Sequence, residues 1–111
     1  MTENPNLLWA GYSVNGVPIR LTRERWEHIV TGHPEMQTYY NQVLETLENP
    51  DLIQRDDGTG ALLALRFYQQ IPENKKFVVV VYMELTRYDG FITTAYLRKQ
   101  PSLNKRIIWT A

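Results

Sequence analysis

Apolar and polar residues alternate in three stretches of the chain, at residues 61–68, 76–84 and 91–98. Successive side chains of a β-strand point to opposite faces, so each stretch predicts a strand with two different rows of side chains. The more apolar rows contain Ala61, Leu63, Leu65 and Phe67, then Phe77, Val79, Val81 and Met83, and finally Phe91, Thr93, Ala95 and Leu97. We expect these three rows to share the buried face of one sheet.

The opposite rows carry the polar and aromatic side chains of the predicted sheet. Six of these residues form the candidate site: Arg66, Tyr68, Tyr82, Thr94, Tyr96 and Arg98. A guanidinium matches phosphate bidentately, and a hydroxyl can donate to a phosphate oxygen. A phenol can donate a proton or stack on a base, where stacking contributes ~1–3 kcal/mol per base. The ordinary alternative is that this row simply faces water or a protein partner, since tyrosine is also enriched at protein interfaces.

Helical periodicity predominates between residues 22 and 50. Thr22 is the predicted N-cap of a first helix, and Gly32 is expected to end it as the C′ residue. Pro34 opens a second helix, which Asn49-Pro50 terminates. The predicted buried stripes contain Trp26, Ile29 and Val30 in the first helix, and Met36, Tyr40, Val43, Leu44 and Leu47 in the second.

A β-hairpin is predicted ahead of the helices, at residues 8–21. Asn15-Gly16 suits a type I′ turn, in which both central residues have positive φ. Pro18 cannot donate to a strand ladder, so the second arm is expected at an edge of the sheet. Residues 1–6 are expected to form a loose end.

Short strands at residues 52–55 and 105–110 complete the predicted elements. Short connections favour antiparallel pairing between consecutive strands. The predicted fold class is therefore α+β, in which an N-terminal hairpin and two helices pack on one face of a four- to five-stranded antiparallel β-meander. At this length, residues 1–111 are expected to form a single α+β domain.

The composition excludes several classes of protein. Hydrophobic residues are 43% and charged residues 22% of the chain, which is typical of a globular domain. A net charge of zero argues against a general nucleic-acid coat protein, although residues 98–106 contain four basic residues and no acid. The N-terminus predicts no signal peptide, and no apolar run approaches the ~20 residues of a membrane span. The absence of cysteine fits a reducing compartment, so we expect a cytoplasmic protein.

Two histidines, His28 and His33, are the candidate acid–base residues. Histidine has an ordinary pKa near ~6.5, and local backbone geometry holds His33 between the two predicted helices. A cap of the second helix is the alternative role for His33. His28 lies ~200° around the helix from Trp26 and is expected to face solvent. Neither histidine has ligand spacing with a carboxylate, so no metal site is predicted.

Three segments carry a resemblance to a known group of nucleases. They are Trp26-Glu27-His28-Ile29-Val30-Thr31-Gly32-His33-Pro34-Glu35-Met36, Asn49-Pro50-Asp51 and Gly90-Phe91-Ile92-Thr93-Thr94-Ala95-Tyr96. The chain resembles the barnase–EndoU–colicin–RelE-like nuclease superfamily, above all its small phage and bacterial branches, over roughly residues 20–100. The resemblance implies helices followed by a four-stranded antiparallel meander, and metal-independent RNase activity that is commonly a toxin activity.

The leading hypothesis is therefore a toxin-like, metal-independent RNA endonuclease. The resemblance implies that His33 acts as base or acid and that Arg66 is the cation that stabilises the transition state. Thr94 orients the phosphate, and Tyr96 stacks on a base or donates a proton. The expected substrate-binding residues are His28, Tyr68, Tyr82 and Arg98.

Two alternatives stay open at this stage. One is a non-catalytic protein-binding or regulatory module that uses Tyr68, Tyr82 and Tyr96 as its contact surface. The other is a domain that binds a small anionic ligand through Arg66 and Arg98.

The expected partner is RNA, with tRNA or another folded RNA as candidates, and no cofactor or membrane is expected. An antitoxin or immunity protein and a second copy of the chain are further candidate partners. Toxins that act on ribosome-bound RNA tend to be strongly basic. The neutral charge of this chain therefore indicates a small folded RNA as substrate, or an inactive member of the superfamily.

Overall fold

The computed structural model describes residues 6–111, apart from the side chain of Trp9. The expected loose end at residues 1–6 lies outside the described residues except for Asn6, whose carbonyl accepts a hydrogen bond from the Arg23 amide. The elements are β1 (Leu7–Tyr12), β2 (Pro18–Thr22), α1 (Arg23–Gly32), a 3₁₀ helix (Pro34–Thr38), α2 (Tyr40–Glu48), β3 (Leu52–Arg55), β4 (Leu62–Phe67), β5 (Phe77–Thr86), β6 (Asp89–Arg98) and β7 (Arg106–Thr110).

The described strands form one seven-stranded sheet in the order β1-β2-β6-β5-β4-β3-β7. The α+β class is confirmed, and β3 to β6 form an antiparallel meander of four strands, but the sheet has seven strands and as a whole is not a simple meander. The hairpin joins the sheet instead of packing on it, since β2 pairs with β6 in parallel through Ile19–Gly90 and Arg20–Phe91. The last strand, β7, returns to the far edge and pairs with β3.

The hairpin turn differs from the predicted type I′ turn. Gly16 has a φ of +79°, but no other residue of the described turn has positive φ. The Gly16 amide donates to the Ser13 carbonyl, and the Ser13 amide donates to the Val17 carbonyl, each at 2.9 Å. This pattern is a type I turn followed by a left-handed glycine. Pro18 is the first residue of β2, where proline is tolerated, and β2 is an interior strand instead of the expected edge.

Helix α1 has the predicted boundaries and α2 ends where predicted, but α2 begins later than expected. The Thr22 hydroxyl caps α1 by accepting from the Arg25 amide at 3.0 Å. Gly32 is the last residue of α1 but is not left-handed, so the predicted C′ glycine is wrong; the His33 amide bonds the Ile29 carbonyl at 2.7 Å. The segment after Pro34 is a 3₁₀ helix, and α2 begins only at Tyr40.

The strand register divides the central sheet residues differently from the predicted rows. Residues directly opposite each other on paired strands share a face. The helix face, against which α1 and α2 pack, carries Leu62, Ala64, Arg66, Val78, Val80, Tyr82, Ala95 and Leu97. The crossover face, on the other side, carries Leu63, Leu65, Phe67, Phe77, Val79, Val81, Thr94, Tyr96 and Arg98. The three predicted apolar rows therefore do not share one face.

The chain between β6 and β7 covers part of the crossover face. Residues 99–105 connect the end of β6 to the start of β7, which lies beside the opposite end of β3. Gln54 of β3 anchors this crossover, since its amide nitrogen donates to the carbonyls of Ser102 (2.7 Å) and Lys105 (3.0 Å). The Ser102 amide donates to the Gln54 amide oxygen at 3.0 Å. Gln54 is opposite Leu63 in the pair with β4, so the crossover lies against the crossover face at this point.

Candidate functional site

Three of the predicted site residues lie on the crossover face of β6. Thr94 is opposite Val81, and Tyr96 is opposite Val79, in the antiparallel pair with β5. Arg98 is the last residue of the strand and lies on the same face by period-two alternation. The Thr-x-Tyr-x-Arg pattern therefore places a hydroxyl, a phenol and a guanidinium along one side of one strand.

His33 joins this row although it belongs to the helical half of the chain. Its ring centroid is 5.6 Å from that of Tyr96, with 34° between the two planes. Helix α1 lies along β6, whose pairing with β2 stops at Phe91. The end of α1 therefore brings the histidine to the edge of the crossover face.

The backbone on both sides of His33 is fixed by hydrogen bonds. Its amide donates to the Ile29 carbonyl at 2.7 Å, and its carbonyl accepts from the Met36 amide at 2.9 Å. The Pro34 ring starts the 3₁₀ helix directly after it. The imidazole itself stays accessible, and its Nδ1 atom lies 3.8 Å from Oε1 of Glu35. The histidine is thus held at its backbone while its ring stays accessible, as an acid–base group requires.

A cleft opens beside Tyr96 and is lined by cations. Its volume is about 410 Å³, and its lining residues are Lys75, Tyr96, Leu97, Arg98, Lys99 and Gln100. Arg98 donates from Nε to the Gln100 carbonyl at 3.0 Å, and no ion pair with a residue in the described range 6–111 neutralises it or the two lysines. Three positive charges without a lining carboxylate favour an anionic ligand such as a phosphodiester.

The Tyr96 phenol is protonated and can act as a donor. Burial raises the pKa of the Tyr96 phenol above its ordinary value of 10.0, while the charge and hydrogen bonding of Arg98 act in the opposite direction. The phenol is therefore protonated at neutral pH. It can donate a hydrogen bond or a proton, but it cannot serve as a base there.

Arg66 lies away from this row, on the helix face. Its Nη1 atom donates to the Asn49 carbonyl at 2.7 Å, and its Nε atom lies 3.5 Å from Oε1 of Glu45. The guanidinium also packs over the Tyr68 ring, 5.6 Å from the centroid. The expectation that Arg66 shares a face with Thr94, Tyr96 and Arg98 is wrong. Both rows of β4 and β5 are apolar enough to be buried, so alternation alone could not identify the row beneath the helices.

Tyr68 and Tyr82 lie on the same helix face and are buried, with 5% and 0% of their surfaces exposed. The Tyr68 hydroxyl donates to Oε1 of Glu45 at 2.7 Å. Neither ring is open to RNA or to a protein partner, so the expected substrate contacts at these two residues are wrong. The alternative contact surface that needed both tyrosines fails for the same reason. The alternative anion site fails too, because Arg66 and Arg98 lie on opposite faces.

His28 is exposed on α1, as expected, and lines a cleft of about 280 Å³ with Thr22, Glu24 and Arg25. Arg25 and Thr22 also line a neighbouring cleft of about 300 Å³, with Arg20, Phe91 and Ile92. Sequence reasoning missed Arg25, Lys75 and Lys99 as site residues. The sequence indicated only Lys99 among these three residues, because Lys99 lies in the basic segment 98–106, which contains no acid.

Two further properties concern metals and membranes. Among residues 6–111, no group of three histidine, cysteine, aspartate or glutamate side chains is arranged to hold a metal ion. In the same part of the chain, no helix is long and apolar enough to cross a membrane.

Comparison with known proteins gives one match. Residues 6–109 match a family model described as phage-Barnase-EndoU-ColicinE5/D-RelE like nuclease 2. No curated protein and no solved structure matches the chain significantly. The family match covers nearly the whole chain, including every residue of the site.

Proposed function

The chain belongs to the phage-Barnase-EndoU-ColicinE5/D-RelE like nuclease 2 family, and from that premise we propose that it is a metal-independent RNA endonuclease. A nuclease-like function in general follows from the family. The observation that carries the finer proposal is the contact between His33 and Tyr96 beside a cleft lined by cations. This arrangement brings a base, a proton donor and positive charge to one place.

The proposed reaction is an internal transfer of the phosphodiester. His33 removes the proton from the 2′-hydroxyl, and the 2′-oxygen forms a bond to phosphorus while the bond from phosphorus to the 5′-oxygen breaks. Tyr96, which is protonated at neutral pH, donates its proton to the departing 5′-oxygen. The products are a 2′,3′-cyclic phosphate and a 5′-hydroxyl, so atoms and charges balance without a redox partner.

Positive charge and hydrogen bonds stabilise the transition state in this proposal. Arg98 and Lys99 line the cleft next to Tyr96 and neutralise the charge that develops on the phosphate oxygens. The Thr94 hydroxyl lies two residues before Tyr96 on the same face and can orient a phosphate oxygen. Arg66 has no part in this scheme, since its partners lie on the helix face.

The proposed substrate is an unpaired segment of a folded RNA such as tRNA, in the bacterial cytoplasm. The cations are concentrated at one cleft of a chain whose net charge is zero, which favours a local contact over coating of a long duplex. Toxin-like use of this activity would require an antitoxin or immunity protein that covers the cleft. Acidic side chains would complement Lys75, Arg98 and Lys99.

Cleavage of total RNA and tRNA in EDTA, followed on a gel, tests the proposal. The wild-type protein should cleave, and His33→Ala should lower the rate by ~10²–10⁴-fold, the usual contribution of one acid–base group. Arg98→Ala should lower it as well, while Arg87→Ala is the matched control because this exposed arginine lies in the turn between β5 and β6, away from the cleft. Cleavage by His33→Ala at the wild-type rate would refute the assignment.

A further inference from the structure

Helix α1 and strand β6 run side by side in the same direction. At one end, Thr22 and Arg25 line a cleft with Phe91 and Ile92. At the other end, His33 contacts Tyr96. From Phe91 to Tyr96 the strand advances ~16 Å at ~3.3 Å per residue, and the ten residues of α1 advance ~15 Å. The cleft at Phe91 and the cleft beside Tyr96 therefore lie at the two ends of one straight strip of surface along α1 and β6, which is called the track below.

The side of α1 that borders this track is polar and open. Arg25, His28 and Gly32 are spaced i, i+3 and i+7, so they form one stripe beside the buried residue Ile29. His28 is exposed halfway along the stripe. No side-chain or distant backbone atom lies within 4 Å of the place that a Gly32 Cβ would occupy. At Gly32, therefore, no side chain stands in the way of a ligand that runs between the two clefts.

The cleft at Phe91 has the groups needed to bind a phosphate. Arg20 is already paired with Asp89, through contacts of 2.7 and 3.1 Å. Arg25 is exposed and makes no ion pair within the described range, so its charge is available. The Thr22 hydroxyl accepts from the Arg25 amide and keeps its own proton for a further bond.

We propose that Arg25 and Thr22, with the Phe91 ring, form a second subsite that binds a phosphate of the same RNA strand four to five nucleotides from the cleaved one. The proposal rests on the proposed function. A stacked strand rises ~3.4 Å per nucleotide, so the ~16 Å track spans about that number of nucleotides. The ligand is single-stranded RNA, because an aromatic ring beside each cation offers a stacking surface to an unpaired base.

If the subsite exists, the protein binds long RNAs more tightly than short ones, and Arg25 is needed for this difference in affinity. Short RNAs of three nucleotides reach only the Tyr96 cleft, whereas RNAs of eight nucleotides reach both. Arg25→Ala should weaken binding of the eight-nucleotide RNA by ~10-fold, which is the usual effect of losing one charge-assisted contact. It should leave three-nucleotide binding unchanged. The slope of log K against log salt should fall by ~0.7, the value for one phosphate of a single strand.

Fluorescence anisotropy with 2′-O-methyl RNAs of three and eight nucleotides measures this directly, because the methyl group removes the nucleophile and prevents cleavage. Arg106→Ala is the control for loss of a surface charge, because this exposed arginine lies on β7 at the opposite edge of the sheet, and far-UV circular dichroism checks folding. An equal loss for both lengths, or an equal loss in Arg25→Ala and Arg106→Ala, would overturn the subsite. If Arg98→Ala no longer bound the RNA while Arg25→Ala bound it like the wild type, the subsite would be refuted and the proposed function would be supported. No binding of either RNA by the wild type would refute both.

Discussion

His33 and Tyr96 lie in contact, but their rings are in different environments. The imidazole is an accessible ring on a fixed backbone, while the phenol is half-buried and protonated at neutral pH. A base and a donor that differ in this way are what transfer of the phosphodiester requires. These two environments support the proposed roles of His33 as base and Tyr96 as proton donor.

The dependence of kcat on pH tests the role of Tyr96 as proton donor. Because burial raises the pKa of the phenol, the donor loses its proton only above the ordinary value of 10.0. The wild-type kcat should therefore be insensitive to this group up to pH 10 and fall at higher pH. Tyr96→Phe keeps the ring, lowers kcat by ~10²-fold or more, and should lose the alkaline fall.

Single-turnover cleavage between pH 6 and 11 measures both effects. Tyr88→Phe is the matched control, since Tyr88 is exposed in the turn between β5 and β6. A wild-type alkaline fall that begins well below pH 10, or a Tyr96→Phe enzyme with full kcat, would contradict the role of proton donor.

Sequence reasoning at the residue scale succeeded where local spacing decides the geometry. Thr94, Tyr96 and Arg98 share a face because period-two alternation applies within one strand. Arg66 was misplaced because the comparison ran across strands, where register decides. With apolar residues in both rows of β4 and β5, no pattern in the sequence fixed which row would meet the helices.

At the scale of elements, the crossover between β6 and β7 shapes the site. It lies against the crossover face at Gln54, opposite Leu63, and its first residues, Lys99 and Gln100, line the cleft beside Tyr96. Gln54 is buried beneath it and makes three hydrogen bonds to its backbone. A buried amide with this number of bonds fixes the path of a segment that has no regular structure of its own.

Gln54→Leu should therefore destabilise the protein by ~2–4 kcal/mol, because it leaves the carbonyls of Ser102 and Lys105 without a partner. Urea unfolding should show a lower midpoint, and exchange of the Ser102 amide hydrogen should become faster. Gln70→Leu, the same change at an exposed loop residue, should stay within ~0.5 kcal/mol of the wild type. Equal stability of Gln54→Leu and the wild type would contradict this role.

Helices and individual strands were predictable to within a few residues, but their pairing was not. Thr22 and Asn49-Pro50 act through local backbone chemistry, which a sequence displays directly. The places of β2 beside β6 and β7 beside β3 depend on contacts between distant parts of the chain. The assumption that consecutive strands are neighbours therefore gave a meander and missed both edges of the sheet.

For the molecule as a whole, a net charge of zero conceals an uneven distribution. The cleft beside Tyr96 has three lining cations and no lining acid, and Arg25 adds another cation at the far end of α1. Such a concentration can attract a polyanion locally although the protein carries no overall positive charge. The net charge of the chain therefore does not show where cations are concentrated, and the position of each charge in the fold is needed.

In the proposed function, RNA binds along the crossover face of β6, between His33 and Arg98. The most direct test is a titration of the ¹⁵N-labelled protein with an eight-nucleotide 2′-O-methyl RNA, followed by amide chemical shifts. We predict saturable shifts at His33, Thr94, Tyr96 and Arg98, with little change around Arg66. Shifts centred on Arg66 and the end of α2, or no shifts at all, would contradict the account.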